Sequence, residues 1–218
     1  MDASDTFRNI PPDKQRRVLE EASSEFARHG FLGASMNRLA ARLGIAKGSI
    51  FKYFGNKEGL FAQVFTGSVD LLSGSLRQAR DETAGLPLAE RLERVLLVGA
   101  QFARSHPNIY RIYLKMLFNE DFPLRERLLA QVRALSARFL TPIIEQAKAS
   151  GELPQSLDVP LAVFMADAVL ERFVQLQAAP AMDAGPQIGP TFGLDDPETS
   201  RLTAARLARM LAGGFTVG

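Results

Sequence analysis

Residues 35–54 read SMNRLAARLGIAKGSIFKYF. This stretch predicts two short helices that are separated by three residues, Gly44, Ile45 and Ala46. Ser35 is a favourable N-cap for the first helix, and Gly44 can adopt the left-handed conformation that ends it. Two short helices joined in this way are typical of a helix-turn-helix.

Apolar residues recur around this stretch at helical spacing, which predicts a small shared core. A preceding helix from Pro12 to about His29 is ended by Gly30, and Val18, Ala22 and Phe26 form its buried stripe. The core of the helix-turn-helix is supplied by Leu39, Leu43, Ile45 and Ile50, and is closed by Phe26 and Phe31.

The charges are unevenly distributed along the chain. Between Arg28 and Lys57 there are six basic residues and no acidic one: Arg28, Arg38, Arg42, Lys47, Lys52 and Lys57. The whole chain has 26 basic and 24 acidic residues, so the remainder carries a net charge of −4. This cationic segment favours a polyanionic partner over chance clustering on a solvated face, because it contains no counter-charge.

Two details of the cationic segment favour DNA over a plain helical hairpin. Lys57 follows Asn56, the predicted cap of a fourth helix. A cation at this end of a helix is unfavourable because it opposes the helix dipole. A phosphate bound by the lysine and the helix N-terminus would explain why a lysine is found there. The third helix opens with Lys47, Gly48 and Ser49, a cationic and sterically open tip that suits a major groove. The alternative is an ordinary solvated loop followed by a helix.

The chain contains the stretches FARHGF, which begins at Phe26, and SMNRLAARLGIAKGSIFKYFGNKEGLF, which begins at Ser35. These two stretches resemble the head of the TetR family of repressors. The resemblance covers about residues 16–65. It implies a homodimer whose recognition helices enter successive major grooves of a partly palindromic DNA operator. It implies base contacts at Lys47, Gly48 and Phe51. It implies contacts with phosphates or the groove wall at Ser35, Ser49, Lys52, Tyr53 and Lys57.

Three positions depart from the family pattern. Phe51 stands where tyrosine is commoner, so a hydroxyl contact with DNA is absent. Ala46 replaces the usual serine or threonine cap, which costs the third helix on the order of 1 kcal/mol. Gly59 lies in the first turn of the fourth helix, where glutamate is commoner.

Helical spacing continues to the end of the chain and alternating strand patterns are nearly absent, so we predict an all-α protein of about nine helices. We expect a helix-turn-helix DNA-binding domain over 1–55 and a ligand-binding and dimerisation domain over 56–218. The predicted helices span about 12–29, 36–43, 47–54, 57–80, 87–105, 107–119, 123–150, 160–178 and 198–212. Residues 180–197 are rich in proline and glycine and are predicted to form a loop.

The resemblance implies that the body binds a small effector, and large apolar residues suggest a hydrophobic or aromatic one. The candidates are Phe65, Phe102, Tyr110, Tyr113, Met116, Leu117, Phe139, Phe164 and Met165, each with plain core as the alternative. The eighth helix is apolar on nearly all sides, which favours a second subunit. The dimer candidates are Leu170, Phe173, Val174, Leu202, Leu207 and Leu211.

Other classes of protein are disfavoured by the composition. Without cysteine the chain has no disulfide or thiolate metal site, and its two histidines lie at predicted helix ends, so we expect no enzyme and no cofactor. The N-terminus lacks the apolar region of a signal peptide, and charges interrupt the longest apolar stretch, so we expect a cytoplasmic protein without a membrane span. A TetR-like activator, an architectural DNA-binding protein without an effector, and an interaction module with a degenerate head are the alternatives, although the intact basic surface disfavours the last.

Overall fold

A computed structural model describes residues 4–118, 122, 124–178 and 196–215. These residues form helices and no strand, which confirms the predicted all-α class. The helices are α1 (Asp5–Arg8), α2 (Pro12–Gly33), α3 (Met36–Leu43), α4 (Lys47–Phe54), α5 (Lys57–Glu82), α6 (Leu88–Ser105), α7 (Pro107–Phe118), α8 (Arg125–Ala149), α9 (Val159–Ala178) and α10 (Pro197–Gly214). Of the predicted loop over 180–197, residues 180–195 lie outside the described residues, and Pro197 begins α10.

Local sequence signals set the ends of the helices in the predicted helix-turn-helix. The hydroxyl of Ser35 accepts a hydrogen bond from the Arg38 N–H at 3.3 Å. Gly44 ends α3 in the left-handed region with φ of 67°, and the Asn56 Oδ1 atom accepts from the Gly59 N–H at 2.7 Å. Gly30 also has a positive φ, 65°, which interrupts α2, but one more helical turn follows it to Gly33.

The described residues contain ten helices, in agreement with the predicted number of about nine, and the one that was not predicted is α1. Four residues are too few to show a helical period in the sequence. The helix is nevertheless defined in the structure, because the Ser4 hydroxyl accepts from the Phe7 N–H at 3.3 Å and Phe7 is buried.

The described residues divide into two units. Unit 1 contains those of Met1–Asp70 and Asn108–Val132. Its core includes an aromatic cluster in which the Phe61 ring meets those of Phe26 and Phe31 edge-on, with centroids 5.1 and 5.6 Å apart. The predicted core residues Leu39, Leu43 and Ile50 are buried in the same unit, and Ile45 packs against them. The predicted local core is therefore confirmed.

Unit 2 contains the described residues of Leu71–Pro107 and Arg133–Gly218, and in it α6 packs on α9 and α10. The approach of α6 to α9 is close: a Cβ atom on Gly99 would lie 2.9 Å from Val174 Cγ2. Gln177 joins three helices, since its side-chain oxygen accepts from Arg104 Nη1 at 2.6 Å and its Nε2 donates to the Ser200 hydroxyl at 2.8 Å. None of the helices in the described residues is long and apolar enough to cross a membrane.

Candidate nucleic-acid interface

The α3–α4 pair presents a polar surface over a buried core. At the turn, the Ile45 N–H donates to the Ala40 carbonyl oxygen at 3.1 Å, and Ala40 is buried. Ile50 and Phe54 turn inward on α4 and are almost fully buried. The opposite side of α4 therefore faces solvent, and this side carries most of the predicted DNA contacts.

The exposed side of α4 combines two lysines, an aromatic ring and a glycine with open space beside it. Lys47, Gly48, Phe51 and Lys52 are all exposed, Phe51 at 39%. Lys47 Nζ lies 5.7 Å from the centroid of the Phe51 ring. No described heavy atom outside the local helix backbone lies within 4 Å of a Cβ atom built on Gly48. The arrangement brings together the three predicted base-contacting residues on one exposed helix face.

The predicted phosphate contacts are less exposed. Ser35, Ser49, Tyr53 and Lys57 are half-buried. Ser35 caps α3, and the Tyr53 ring packs 5.5 Å from the ring of Phe7, centroid to centroid. Lys52 is exposed and makes no ion pair with another described residue. These side chains border the exposed face of α4, but several also contribute to folding.

Lys57 has structural partners that the sequence argument missed. Its Nζ atom donates to the carbonyl oxygens of Leu32 and Ala34 at 3.2 and 3.3 Å. It also lies 4.7 Å above the Phe31 ring, where a cation is attracted by the π face. These contacts account for a lysine at the N-terminus of α5 without any phosphate. The inference that this position calls for a phosphate is therefore corrected, and the DNA contact stays a prediction.

The cationic segment is partly neutralised, which corrects the expectation that it has no counter-charge. Arg38 Nη2 lies 2.6 Å from Glu25 Oε1, and Arg42 Nη1 lies 2.8 Å from Glu25 Oε2. Arg42 Nε also lies 2.8 Å from Glu21 Oε2. Both acids lie on α2, just before the segment begins, so counting charges along the chain could not reveal the pairing.

Glu25 is ionised in the fold. Burial of its carboxyl group raises the pKa, but hydrogen bonds from the Ser35 N–H, Arg38 and Arg42 outweigh this, so that the pKa falls from 4.5 to about 2. The same contacts raise the pKa of Arg42, through its hydrogen bonds with Glu21 and Glu25. Glu25 and Arg42 are therefore a fixed pair of opposite charges at any ordinary pH.

Gly59 is explained by the packing of the first turn of α5. A Cβ atom at this position would lie 2.1 Å from the Phe54 carbonyl oxygen and 3.4 Å from Asn56 Oδ1. Real Cβ atoms do not approach a backbone oxygen so closely, so the turn from α4 into α5 excludes any larger residue. The departure from the usual glutamate thus has a steric reason.

Comparisons with known proteins agree with this geometry. A family model described as "Bacterial regulatory proteins, tetR family" matches residues 18–64, which include α3 and α4. The "Probable acrEF/envCD operon repressor" of Escherichia coli strain K12 is 26% identical over 170 residues, or 74% of each protein. A TetR family transcriptional regulator from Chloroflexus aurantiacus superimposes with a TM-score of 0.68 at 26% identity, covering 98% of both chains.

Over residues 18–64 the chain carries the N-terminal domain of the tetR family of bacterial regulatory proteins. The HTH-type transcriptional regulator YhgD of Bacillus subtilis is a further relative, 30% identical over 103 residues. The match covers 46% of this chain and 52% of YhgD, so the chain spans about half the length of that relative. The likeness to known TetR-family proteins is thus sharpest in the helix-turn-helix.

The candidate effector residues are divided between the two units. In unit 1, Phe65 and Met116 are buried in the core, Tyr110 is also buried, and Tyr113 and Leu117 pack against the core. In unit 2, Phe139 is buried, and the Phe102 ring stacks 4.5 Å from that of His106. Phe164 and Met165 are exposed. Among the described residues, no group of three or more histidine and acidic side chains could hold a metal ion.

The candidate dimer residues differ in exposure. Phe173, Val174 and Leu211 are already buried within the subunit, so a second subunit cannot be what covers them. Leu170 and Leu207 are half-buried and Leu202 is exposed. The sequence pattern missed this because an apolar helix shows how much of its surface must be covered but not by which neighbour.

Two structural features of the head were not predicted from the sequence. The first is Phe7, which packs on the end of α4, and the second is the Glu21–Glu25 pair on α2. Glu25 does leave a signal in the sequence: it falls beside Phe26 on the buried side of α2, where an acid is unexpected. A search for buried acids within reach of the arginines of α3 would have found it.

Proposed function

We propose that the chain is a sequence-specific DNA-binding transcriptional repressor, which acts as a homodimer on a two-fold symmetric operator and responds to a small effector. The observation that carries the proposal is the exposed face of α4, with Lys47, Gly48 and Phe51 side by side over a buried core. The name of the Escherichia coli relative supports repression. Such a protein works in the cytoplasm, where the chromosome lies.

The face of α4 suits base reading for three reasons. Lys47 carries donors for the guanine acceptors of a major groove, and Phe51 offers an apolar contact for a thymine methyl group. Gly48 leaves room for the DNA to approach the backbone, since nothing fills the space of its missing side chain. Lys52 is exposed beside them and would bind phosphate.

A second copy of the chain is the proposed partner of α9 and α10. Exposed apolar side chains recur at helical spacing on α9, and Phe164 is 69% exposed. Exposed apolar side chains that cluster on a protein surface mark an interface. Its members are Leu161, Phe164 and Met165 on α9 and Leu202 and Met210 on α10. Leu170 and Leu207 would border the interface, and the buried Phe173, Val174 and Leu211 would support it from below.

The dimer is tested by mass. Phe164→Glu places a charge in the proposed interface and should give a monomer by light scattering, with loss of operator binding. Leu71→Glu is the matched control, since Leu71 is a similarly exposed apolar residue on α5. A dimeric mass for the Phe164 variant would rule out this interface.

The proposed effector is a small hydrophobic or aromatic molecule, because the candidate residues in both units are apolar or aromatic. Binding of such a ligand to the folded chain raises the melting temperature, and the stabilisation grows with the logarithm of the ligand concentration over its Kd. A screen of small aromatic and aliphatic compounds by thermal shift therefore tests a sensor against the alternative, an architectural DNA-binding protein without an effector. The other alternative, an activator, is distinguished by the position of the operator relative to the promoter.

The DNA-binding proposal is tested by selecting bound sequences from a random duplex pool. Wild type should enrich a two-fold symmetric site, with affinity that falls steeply as salt is raised. Lys47→Ala should relax the preference at one position and weaken binding about tenfold to a hundredfold. Arg138→Ala, which removes an exposed arginine of α8 in unit 2, is the control and should bind like wild type. If no sequence is enriched, the chain does not read bases.

A further inference from the structure

The Glu25 carboxylate accepts hydrogen bonds from the start of α3 and from two arginines. Its side chain is 1% exposed. Oε1 accepts from the Ser35 N–H at 2.8 Å and from Arg38 Nε and Nη2 at 3.1 and 2.6 Å. Oε2 accepts from Arg42 Nη1 at 2.8 Å. These four donors use the hydrogen-bonding capacity of an ionised carboxylate almost fully.

We propose that Glu25 is a specificity-determining residue of the head, which withholds Arg38 and Arg42 from the DNA backbone and so limits sequence-independent binding. The inference rests on the proposed DNA-binding function. Glu25 does not touch DNA in this proposal; it acts through the two arginines. Its effect is on the difference between operator and random DNA rather than on affinity alone.

Stability alone is a poor reason for a buried acid at this position. Glu25 lies on the buried side of α2 beside Phe26. Replacing a buried ion pair by packed apolar residues is often neutral or stabilising, because burying charges costs several kcal/mol per ion. A leucine could fill the same space without burying a charge, but it would leave the Ser35 N–H and both arginines without this acceptor. The carboxylate therefore calls for a role that a hydrocarbon side chain could not perform.

The two arginines are positioned where they would otherwise bind phosphate. They lie one and two turns beyond Ser35, a predicted phosphate contact, and their side chains are 48% and 38% exposed. Each is nevertheless fixed by acceptors: Arg38 also donates to the Gly33 carbonyl oxygen at 2.8 Å, and Arg42 to Glu21 Oε2 at 2.8 Å. Long cationic side chains that are exposed but already paired cannot follow the backbone of an arbitrary duplex.

Charge arithmetic gives the size of the effect. Glu21, Glu25, Arg38 and Arg42 together have no formal net charge. Each additional cation that binds a phosphate releases counterions and steepens the slope of log K against log salt by about 0.9. Freeing one or both arginines should therefore steepen the slope by about one to two and raise the affinity for random DNA roughly tenfold at low salt.

The first test measures binding of wild type and Glu25→Gln to a random-sequence duplex and to the selected operator over a range of salt. Glu25→Gln keeps the size and an acceptor oxygen but removes the charge. We expect affinity for the random duplex to rise about tenfold, the salt slope to steepen, and the ratio of operator to random affinity to fall about tenfold. Adding Arg38→Gln and Arg42→Gln to this variant should restore the wild-type slope.

A purely structural role predicts a different pattern. Misplacing α3 would weaken binding to both duplexes, and the two extra substitutions would not restore it. That result, or an unchanged slope in folded Glu25→Gln, overturns the proposal. Circular dichroism establishes whether the variant is folded.

A second set of variants keeps Glu25 and tests the proposal even if Glu25→Gln does not fold. Arg38→Gln and Arg42→Gln remove cations that are already withheld, so each should leave the slope on random DNA unchanged. Lys52→Gln removes an exposed cation without a described ion-pair partner and should reduce the slope by about 0.9. Equal losses for all three variants would contradict the inference. If wild type prefers no sequence, the proposed function fails, but these slopes on random DNA still decide whether Glu25 withholds the arginines.

Discussion

The ring of Phe7 lies 4.6 Å from the ring of Phe54, centroid to centroid, and so connects α1 to the last residue of α4. A backbone hydrogen bond reinforces the contact, since the Ser4 N–H donates to the Tyr53 carbonyl oxygen at 2.9 Å. Gln15 holds the segment from the other side by donating to the carbonyl oxygens of Arg8 and Ile10. The residues before α2 therefore determine where the C-terminal end of the recognition helix lies.

Phe7→Ala should lower the free energy of unfolding by about 3 kcal/mol, because it removes a buried ring and leaves a cavity against Phe54. It should also weaken operator binding, since the end of α4 loses its support. Chemical denaturation and DNA titration measure the two effects. Leu32→Ala is the control: Leu32 is 77% exposed, so its truncation should change neither quantity. Equal effects of the two substitutions would show that α1 supports nothing.

Gly59→Ala should destabilise the protein even though alanine favours helices. The new Cβ atom would lie 2.1 Å from the Phe54 carbonyl oxygen, so the turn between α4 and α5 must open. Gly67→Ala in the same helix has open space and should stabilise by up to about 1 kcal/mol. The two melting temperatures should therefore move in opposite directions. If both melting temperatures rise, the turn between α4 and α5 can accommodate the new methyl group without a net cost.

Gly99→Ala should cost about 1 kcal/mol, and Val174→Ala should relieve part of that cost. The added methyl group would lie 2.9 Å from Val174 Cγ2, and valine in a helix has little freedom to rotate away. Removing the valine methyl groups makes room, so the double variant should be more stable than the sum of the single changes predicts. Denaturant unfolding of all four proteins gives the coupling, which we expect to exceed 0.5 kcal/mol. If the free-energy changes of the two single variants simply add in the double variant, the added methyl group does not press on Val174.

The stability of the wild type should fall as the pH drops from about 5 to 2. The pKa of Glu25 is about 2 in the fold, against 4.5 ordinarily, so the unfolded chain binds the proton first and unfolding is favoured. The carboxylate thus contributes roughly 3 kcal/mol above pH 4.5, and this contribution is lost as the pH falls through 2. Glu25→Gln should show a flatter profile in urea melts over this range. Parallel profiles would mean that Glu25 is not the responsible group.

Gly48→Ala should separate folding from DNA binding. The Cβ atom would have nothing within 4 Å in the free protein, so α4 should be as stable as before or slightly more stable. Operator affinity should nevertheless fall, because the methyl group would occupy the space that the DNA backbone or base edge needs. Wild-type affinity in a folded Gly48→Ala variant would exclude close approach of DNA at this residue.

Much of the fold could be predicted because its signals are local. Ser35, Gly44 and Asn56 act within three or four residues of themselves, and these helix boundaries were predicted correctly. The acidic partners of Arg38 and Arg42 and the carbonyl partners of Lys57 lie 13 to 25 residues away. They become visible only when the crossing of α2 with α3 and α5 is known. The exposed face of α4 could be predicted from the sequence. The neutralisation of Arg38 and Arg42 by acidic residues of α2 could not.

The same limit applies to the body. An apolar α9 showed that several of its faces must be covered, but Phe173 is covered by its own subunit whereas Phe164 is exposed. The apolar character of a side chain does not indicate whether its own subunit or a second subunit covers it. Interface residues therefore required the packing of α6, α9 and α10, which the sequence pattern does not encode residue by residue.

The N-cap position of α4 is Ala46, which provides no side-chain cap, although α3 and α5 on either side of it are capped. Its first amide protons, including that of Gly48, are therefore open to the medium and should exchange rapidly with it. An operator that closes over the tip of α4 would slow this exchange. The Gly48 amide resonance is thus a native reporter of occupancy, readable by NMR in a protein that carries no label beyond nitrogen-15.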